Sequence, residues 1–273
     1  MEDVVPLSEL VNRVFGKIYY RENHPLIEYS TGVYEIDHNT LGLKEGEFWI
    51  IGGRPGAGKT SLLLHMVNSL STSERLSGKI PSIIISTKES EEKILEKLVS
   101  AYYQINLNDN NDVPKREIER YISAFYNISE SLITLTYQPK LSIDKFNEIV
   151  EENDAKYIFI DDIDYVEPKK RFIKRIADLT IEKKLSVVAA SGLSSRVGYN
   201  IPRIYNLNNS LADSAKKVLL LYREVANYPE SFEIEKNMIE VFIAKNNSGS
   251  LGKALLLFKP EFGRIENKTQ TLK

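Results

Sequence analysis

Between Gly53 and Thr60 the chain reads G-R-P-G-A-G-K-T. Residues this small let consecutive backbone N–H groups curl around an anion. The lysine reaches outer phosphate oxygens, and the threonine offers a hard hydroxyl oxygen to Mg²⁺. Gly53, Arg54, Pro55, Gly56, Ala57, Gly58, Lys59, Thr60 and Ser61 therefore form a candidate phosphate cradle, with Lys59 the candidate catalytic cation and Thr60 a candidate metal ligand. A second set of oxygens lies at Asp161-Asp162, directly after the apolar run Tyr157-Ile158-Phe159-Ile160. An acid at such a strand end holds Mg²⁺ beside a phosphate loop, and Asp161 is the residue expected to do so; the other reading is that the pair caps the next turn.

A cradle of this kind needs a rigid strand before it and a helix after it. The buried-type run Phe48-Trp49-Ile50-Ile51 precedes the loop, and Ser61-Leu62-Leu63-Leu64-His65-Met66-Val67 follows as a helix whose positive N-terminal end faces the anion. Further strands are expected at Ile83–Ile85, Leu132–Leu135, Tyr157–Ile160, Ser186–Ala190, Val218–Leu221, Ile239–Ile243 and Ala254–Phe258. The early runs are almost continuously apolar, as strands covered on both faces must be. The segments between them, such as Ile94-Leu95-Leu98-Val99-Tyr102, carry helical spacing. The expected fold is α/β, a mainly parallel twisted sheet flanked by helices with an antiparallel extension at the C-terminal end. The asparagine- and aspartate-rich stretch 106–113 reads as a polar loop.

Composition narrows the chemistry. The 273 residues carry no cysteine, so disulfides and thiolate metal sites are excluded, and three histidines, His24, His38 and His65, make a histidine-built metal site a poor expectation. No apolar run of about 18 residues occurs, so the expectation is an intracellular, cytoplasmic protein with no membrane partner. A net charge of −2 gives no overall pull toward nucleic acid, which would have to be gripped by a local cluster. Lys169-Lys170-Arg171 is the main one, read either as a DNA contact or as the solvated start of a helix. Near the N-terminus, Leu7, Leu10, Val11, Val14, Phe15 and Ile18 form one apolar helical face after Pro6, which covers either its own core or a neighbour's. We divide the chain into a linker helix with its connecting segment, 1–30, and a nucleotide-binding domain, 31–273.

Several motifs together resemble the C-terminal ATPase domain of DnaB-type replicative DNA helicases, which are ring-forming RecA-like motors. Thr31-Gly32-Val33-Tyr34-Glu35-Ile36-Asp37 with Thr40, Gly42 and Gly46-Glu47 is similar to that family's opening motif T-G-x-x-x-L-D-x-x-T-x-G-x-x-x-G-D/E. Arg54-Pro55 matches its R-P-x-x-G-K-T. Ile176-Ala177-Asp178-Leu179 and Ala190-Ser191-Gly192-Leu193 follow in order. Leu220-Leu221-Tyr222-Arg223, Tyr228-Pro229-Glu230 and Glu240 to Gly249 with Gly252 resemble F-L-Y-R-D-E, Y-x-P-E and E-V-I-I-A-K-x-R-N-G-P-x-G. The resemblance implies a RecA-like P-loop NTPase fold, ATP and Mg²⁺ as cofactors, and self-assembly into a ring, a hexamer by the family's habit. It also implies single-stranded DNA as track, a separate primase or loader as a further partner, and the helix at 7–18 docking on an adjacent subunit.

The departures gather at the chemistry. Ungapped, the family's S-L-E-M becomes Ser86-Thr87-Lys88-Glu89, which sets Lys88 where the water-polarising glutamate belongs. Glu89 can replace it as the catalytic carboxylate only if the strand end slips by one residue, which would swing it to the opposite side of the strand. In the family's K-x-R pair, Lys245 stays as a catalytic cation acting across the interface and the trans arginine becomes Asn247. Two glutamines become Asp164 and Gly192, and the DNA-contacting loop D-L-R-E-S-G reads Asn206-Leu207-Asn208-Asn209-Ser210. Two functions fit: a helicase-type ATP motor of DNA replication with slow hydrolysis, or an accessory protein that binds ATP as interface glue.

Overall fold

In a computed structural model, residues 29–72, 80–106, 118–167, 169–194, 200–224 and 237–268 are described. The apolar face at 7–18, the polar stretch from 107 on and Tyr228-Pro229-Glu230 lie outside them.

Nine strands form one sheet in the order β3-β2-β4-β5-β1-β6-β7-β8-β9. The strands are β1 (Phe48–Gly53), β2 (Ser82–Ser86), β3 (Ile133–Tyr137), β4 (Tyr157–Asp161), β5 (Ser186–Ser191), β6 (Lys217–Tyr222), β7 (Met238–Asn246), β8 (Gly252–Lys259) and β9 (Arg264–Asn267). The first six pair in parallel and the last three are antiparallel. The helices are α1 (Tyr34–Thr40), α2 (Lys59–Thr72), α3 (Glu91–Tyr103), α4 (Ile118–Ser129), α5 (Ile143–Glu152), α6 (Lys169–Glu182) and α7 (Asn209–Ser214).

Every residue of β1, β2, β4 and β5 is buried, which accounts for their unbroken apolar runs. Alternate side chains feed two cores. Trp49 and Ile51 pack with Leu62, Leu63 and Met66 of α2 and Ile94 of α3 on one face; Phe48 and Ile50 pack with Phe146 of α5 and Phe172, Ile173 and Ile176 of α6 on the other. In β7, residues alternate between buried and half-buried, with Ile239, Val241 and Ile243 turned to the first core. β3 departs from the expectation of two covered faces: it is the edge strand and only partly buried. β9 was not expected from the sequence. It is a short Arg-Ile-Glu-Asn segment held by pairing with β8 and by Arg264, which donates to the Ala101 and Tyr102 carbonyls at the end of α3 at 3.1 and 3.0 Å.

The opening motif is structural. Buried Asp37 accepts from the Thr31 N–H at 2.8 Å, the Thr31 hydroxyl at 2.7 Å and the Ser30 hydroxyl at 2.6 Å, tying the approach of the chain to α1. Burial raises the Asp37 pKa, and these three donors oppose the rise.

At the opposite end of the sheet from the phosphate loop, Lys217 is 0% exposed. Its ammonium donates to Glu47 Oε2 at 2.5 Å and lies 4.5 Å from the centre of the Trp49 ring, and Trp49 Nε1 donates to the same Glu47 oxygen at 2.8 Å. Burial lowers the Lys217 pKa and the Glu47 carboxylate opposes the drop. Removing one member strands the other charge inside, so Lys217→Ala is expected to destabilise the fold by about 3–5 kcal/mol. The urea midpoint reads this directly. The paired change Lys217→Met with Glu47→Gln should recover most of the loss, and a double variant as unstable as the single one would contradict the ion-pair account.

Candidate nucleotide-binding site

β1 ends at Gly53 and α2 begins at Lys59, so the loop between them lies at the C-terminal end of the central strand, where parallel α/β sheets bind ligands. The first N–H groups of α2 have no acceptor one turn back and face an incoming anion. Gly58 has φ +94°, and a Cβ there would stand 2.7 Å from Ile239 Cδ1 of β7, so the antiparallel extension packs directly against the loop. Lys59 is folded back: its ammonium donates to the carbonyls of Gly53 at 3.0 Å and Arg54 at 3.1 Å. Burial lowers its pKa, against the pull of the Asp162, Asp161 and Asp164 carboxylates.

The Thr60 hydroxyl donates to Asp161 Oδ1 at 2.9 Å, which brings both candidate metal ligands to one point. Asp161 is buried, and burial raises its pKa, while the Thr60 hydrogen bond works the other way. Lys59, Thr60, Ser61, Lys88, Glu89, Lys97, Asp161, Asp162, Arg223 and Phe258 are among the residues around a single cleft of about 440 Å³.

Glu89 is where the strand-slip argument needs correction. β2 ends at Ser86, and Thr87 to Glu89 form a bend, so alternation of sides along a strand no longer governs them. The Ser86 hydroxyl donates to the Glu89 carbonyl at 2.6 Å and accepts from the Glu89 N–H at 3.1 Å, and both Lys88 and Glu89 line the cleft. The Glu89 carboxylate forms an ion pair with Lys97 of α3.

Other expected residues lie elsewhere. Lys245 does not line the cleft of its own chain: its ammonium donates to the carbonyls of Ala212 at 2.9 Å and Asp213 at 3.1 Å near the end of α7. Lys169 is engaged by Asp164, whereas Lys170 and Arg171 are exposed on the first turn of α6. Asp164 also accepts from the Ser191 hydroxyl at 3.0 Å and the Gly192 N–H at 2.5 Å. A Cβ at Gly192 would come 3.1 Å from the same carboxylate, so the two substitutions Asp164 and Gly192 fit each other sterically.

Sequence reasoning missed Lys97, Arg223 and Phe258 as cleft residues. The Arg223 guanidinium lies 4.6 Å from the centre of the Phe258 ring and donates to the Gly56 carbonyl at 3.4 Å. The available signal was topological: β6 pairs with β1, and Arg223 follows β6 at the same sheet end as the phosphate loop.

The DnaB-like helicase C terminal domain family matches residues 29–267. A probable replicative DNA helicase of Trieres chinensis is 24% identical over 97% of this chain and 63% of its own length, and the replicative DNA helicase DnaC of Bacillus subtilis is 23% identical over 87% and 56%. This chain thus spans about six-tenths of the curated relatives it matches. A solved DnaB-like replicative helicase, described with its interactions with primase, superposes with a TM-score of 0.83 at 22% identity, covering 97% of this chain and 68% of that one. A solved ATPase domain superposes equally well, covering 97% of this chain and all of the other. Among the described residues no helix is long and apolar enough to cross a membrane. With the sheet order, the phosphate loop and the family match in agreement, the chain belongs to the DnaB-like helicase C-terminal domain family and has its RecA-like fold.

Proposed function

We propose that this chain is the ATP-driven motor unit of a ring-forming DNA helicase of replication, acting inside the cell. The observation that carries the reading is the meeting of Thr60 and Asp161, 101 residues apart, beside Lys59 and opposite Glu89 in one cleft. Two hard oxygen donors at one point suit Mg²⁺, which takes few protein ligands and keeps its waters. When bound, the cation neutralises charge on the phosphate oxygens. Lys59 exchanges its loop carbonyls for those oxygens, and the loop and first-turn N–H groups hold the anion. Glu89 accepts a proton from the attacking water, and Lys97 orients that carboxylate. Arg223 and Phe258 offer a flat wall to the base. Lys245 reaches a neighbour's nucleotide once it leaves the α7 carbonyls. Self-association into a ring is supported by α4, whose Ile118, Ile122, Phe125 and Tyr126 are exposed. A primase or loader is a further partner.

ATP turnover with and without single-stranded DNA tests the reading: a motor is stimulated by the strand. In that assay Glu89→Gln should lower turnover by about 10²–10⁴-fold with binding retained, the usual worth of a general base. Full activity in Glu89→Gln would remove this residue from the chemistry. The accessory reading is favoured by one observation, the exposed Lys88 cation at the cleft together with Asn247 in place of an arginine. Turnover indifferent to DNA would support it.

A further inference from the structure

Lys88 is the apex of a bend fixed on both sides. Before it, the Thr87 hydroxyl donates to the Asp162 carbonyl at 2.7 Å and the Thr87 N–H to the Asp161 carbonyl at 3.3 Å. After it, Glu89 is tied to the Ser86 hydroxyl through both its N–H and its carbonyl, and Ser86 pairs with Asp161 across β2 and β4. The backbone at Lys88 is therefore held beside the nucleotide cleft, while the side chain is exposed and lines that cleft.

The other cations of the cleft are engaged. Lys59 bridges two loop carbonyls, Lys97 pairs with Glu89, and Arg223 lies against Phe258. Lys88 forms no hydrogen bond or ion pair among the described residues. Its ammonium is near enough to Lys59 to help lower the Lys59 pKa, and near enough to Asp162 to oppose the burial that raises that carboxyl. Two ammonium groups sharing one cleft repel each other, so the pair favours a ligand that carries several negative charges. β2 and β4 lie on one side of β1 and the strands leading to Arg223 and Phe258 on the other. A nucleotide with its base against Arg223 and Phe258 thus has its terminal phosphate toward Lys88.

We propose that Lys88 is a catalytic cation supplied in cis, its ammonium resting on the outer oxygens of the terminal phosphate of ATP during hydrolysis. The proposal rests on the motor reading and names the residue that stabilises its transition state. The water oxygen bonds to the γ-phosphorus as the bond from that phosphorus to the β,γ-bridging oxygen breaks; a proton of the water passes to Glu89, and ADP leaves with the electron pair. The charge that spreads over the outer oxygens on the way is what a cation from the same chain or from a neighbour can hold. Asn247 at the tip between β7 and β8 is neutral and brings a neighbouring copy no such charge. An ammonium is a single point charge and a guanidinium a planar fork, so Lys88 does part of what an arginine would.

In the full chain with Mg²⁺, Lys88→Ala should lower kcat by about 10²–10³-fold, while affinity for a non-hydrolysable ATP analogue changes by less than about threefold. Lys88→Arg should restore most of the rate. ADP with aluminium fluoride, which mimics the phosphoryl group during transfer, should be retained by the parent and by Lys88→Arg but lost from Lys88→Ala. Equal weakening of the ATP analogue and of ADP with aluminium fluoride would mean a merely structural role and overturns the proposal. Mixing Lys88→Ala with Lys59→Ala shows which chain supplies the cation. The mixture should stay slow, because the subunits that keep Lys88 have lost the phosphate-loop lysine. Recovered turnover in the mixture would assign Lys88 to a neighbour's nucleotide and overturns the cis assignment. Turnover in Lys88→Ala as fast as in the parent, or faster, overturns the role but leaves the motor intact if single-stranded DNA still stimulates it. A parent with no ATP turnover removes both readings.

Discussion

Asn247→Arg is expected to raise ATP turnover of the assembled protein on the order of 10³-fold, the lower end of what an arginine supplied in trans is worth. Asn247 is exposed at the tip between β7 and β8, its N–H donating to the Lys216 carbonyl at 3.2 Å, and it does not line the cleft of its own chain. A guanidinium there costs the monomer little and can serve only a neighbour's nucleotide. Under the proposed ring assembly, turnover should therefore rise steeply with protein concentration. Adding Lys88→Glu separates the two candidates for handling the water. No further gain identifies Glu89 as the base, whereas a further tenfold gain or more would mean that a carboxylate belongs at position 88. A variant with Asn247→Arg alone that stays as slow as the parent at every concentration would show that this hairpin does not reach a neighbour's site.

Lys59→Ala should weaken ATP binding by about 2–4 kcal/mol, or about 30- to 1000-fold, because charge-assisted contacts to the outer phosphates are lost while backbone N–H groups remain. The free protein has something to lose as well. The Lys59 ammonium now bridges the Gly53 and Arg54 carbonyls, so the alanine variant also loosens the unliganded loop. A fluorescent ATP analogue measures the affinity, and hydrogen exchange at Arg54 to Gly58 reports the loop. Unchanged affinity would show that the loop does not hold phosphate.

How much of this was legible in the chain depends on how local each feature is. The strand, loop and helix from Phe48 to Thr72 are contiguous, so the pattern of small and apolar residues carries both their structure and their chemistry. The fully buried strands announce themselves by composition for the same reason. β9 does not: its Arg-Ile-Glu-Asn sequence has no strand signature, and its conformation is imposed by β8 and by the far end of α3. The condition placed on Glu89, a slip of the strand end, was not legible correctly because it depends on where β2 stops, and element ends are set by tertiary contacts such as Thr87 donating to the Asp162 carbonyl at 2.7 Å. Arg223 and Phe258 meet the phosphate loop only because β6, β7 and β8 are laid side by side next to β1. The ion pair that engages Lys169 is likewise invisible in a basic run, since its partner Asp164 belongs to the preceding turn.

The buried pair Lys217 and Glu47 bears on how this chain can change through generations. Each residue alone is an ordinary surface type, and either could drift freely were it exposed. Sealed against Trp49, they form a single heritable unit divided between the starts of the neighbouring strands β1 and β6, 170 positions apart in sequence. A lineage that loses one first passes through a poorly folded intermediate, so the pair is kept whole or exchanged whole. Recombination between distant relatives that joins a Glu47 segment to a β6 without the lysine should yield insoluble chimaeras, even though every phosphate-binding residue in them is intact.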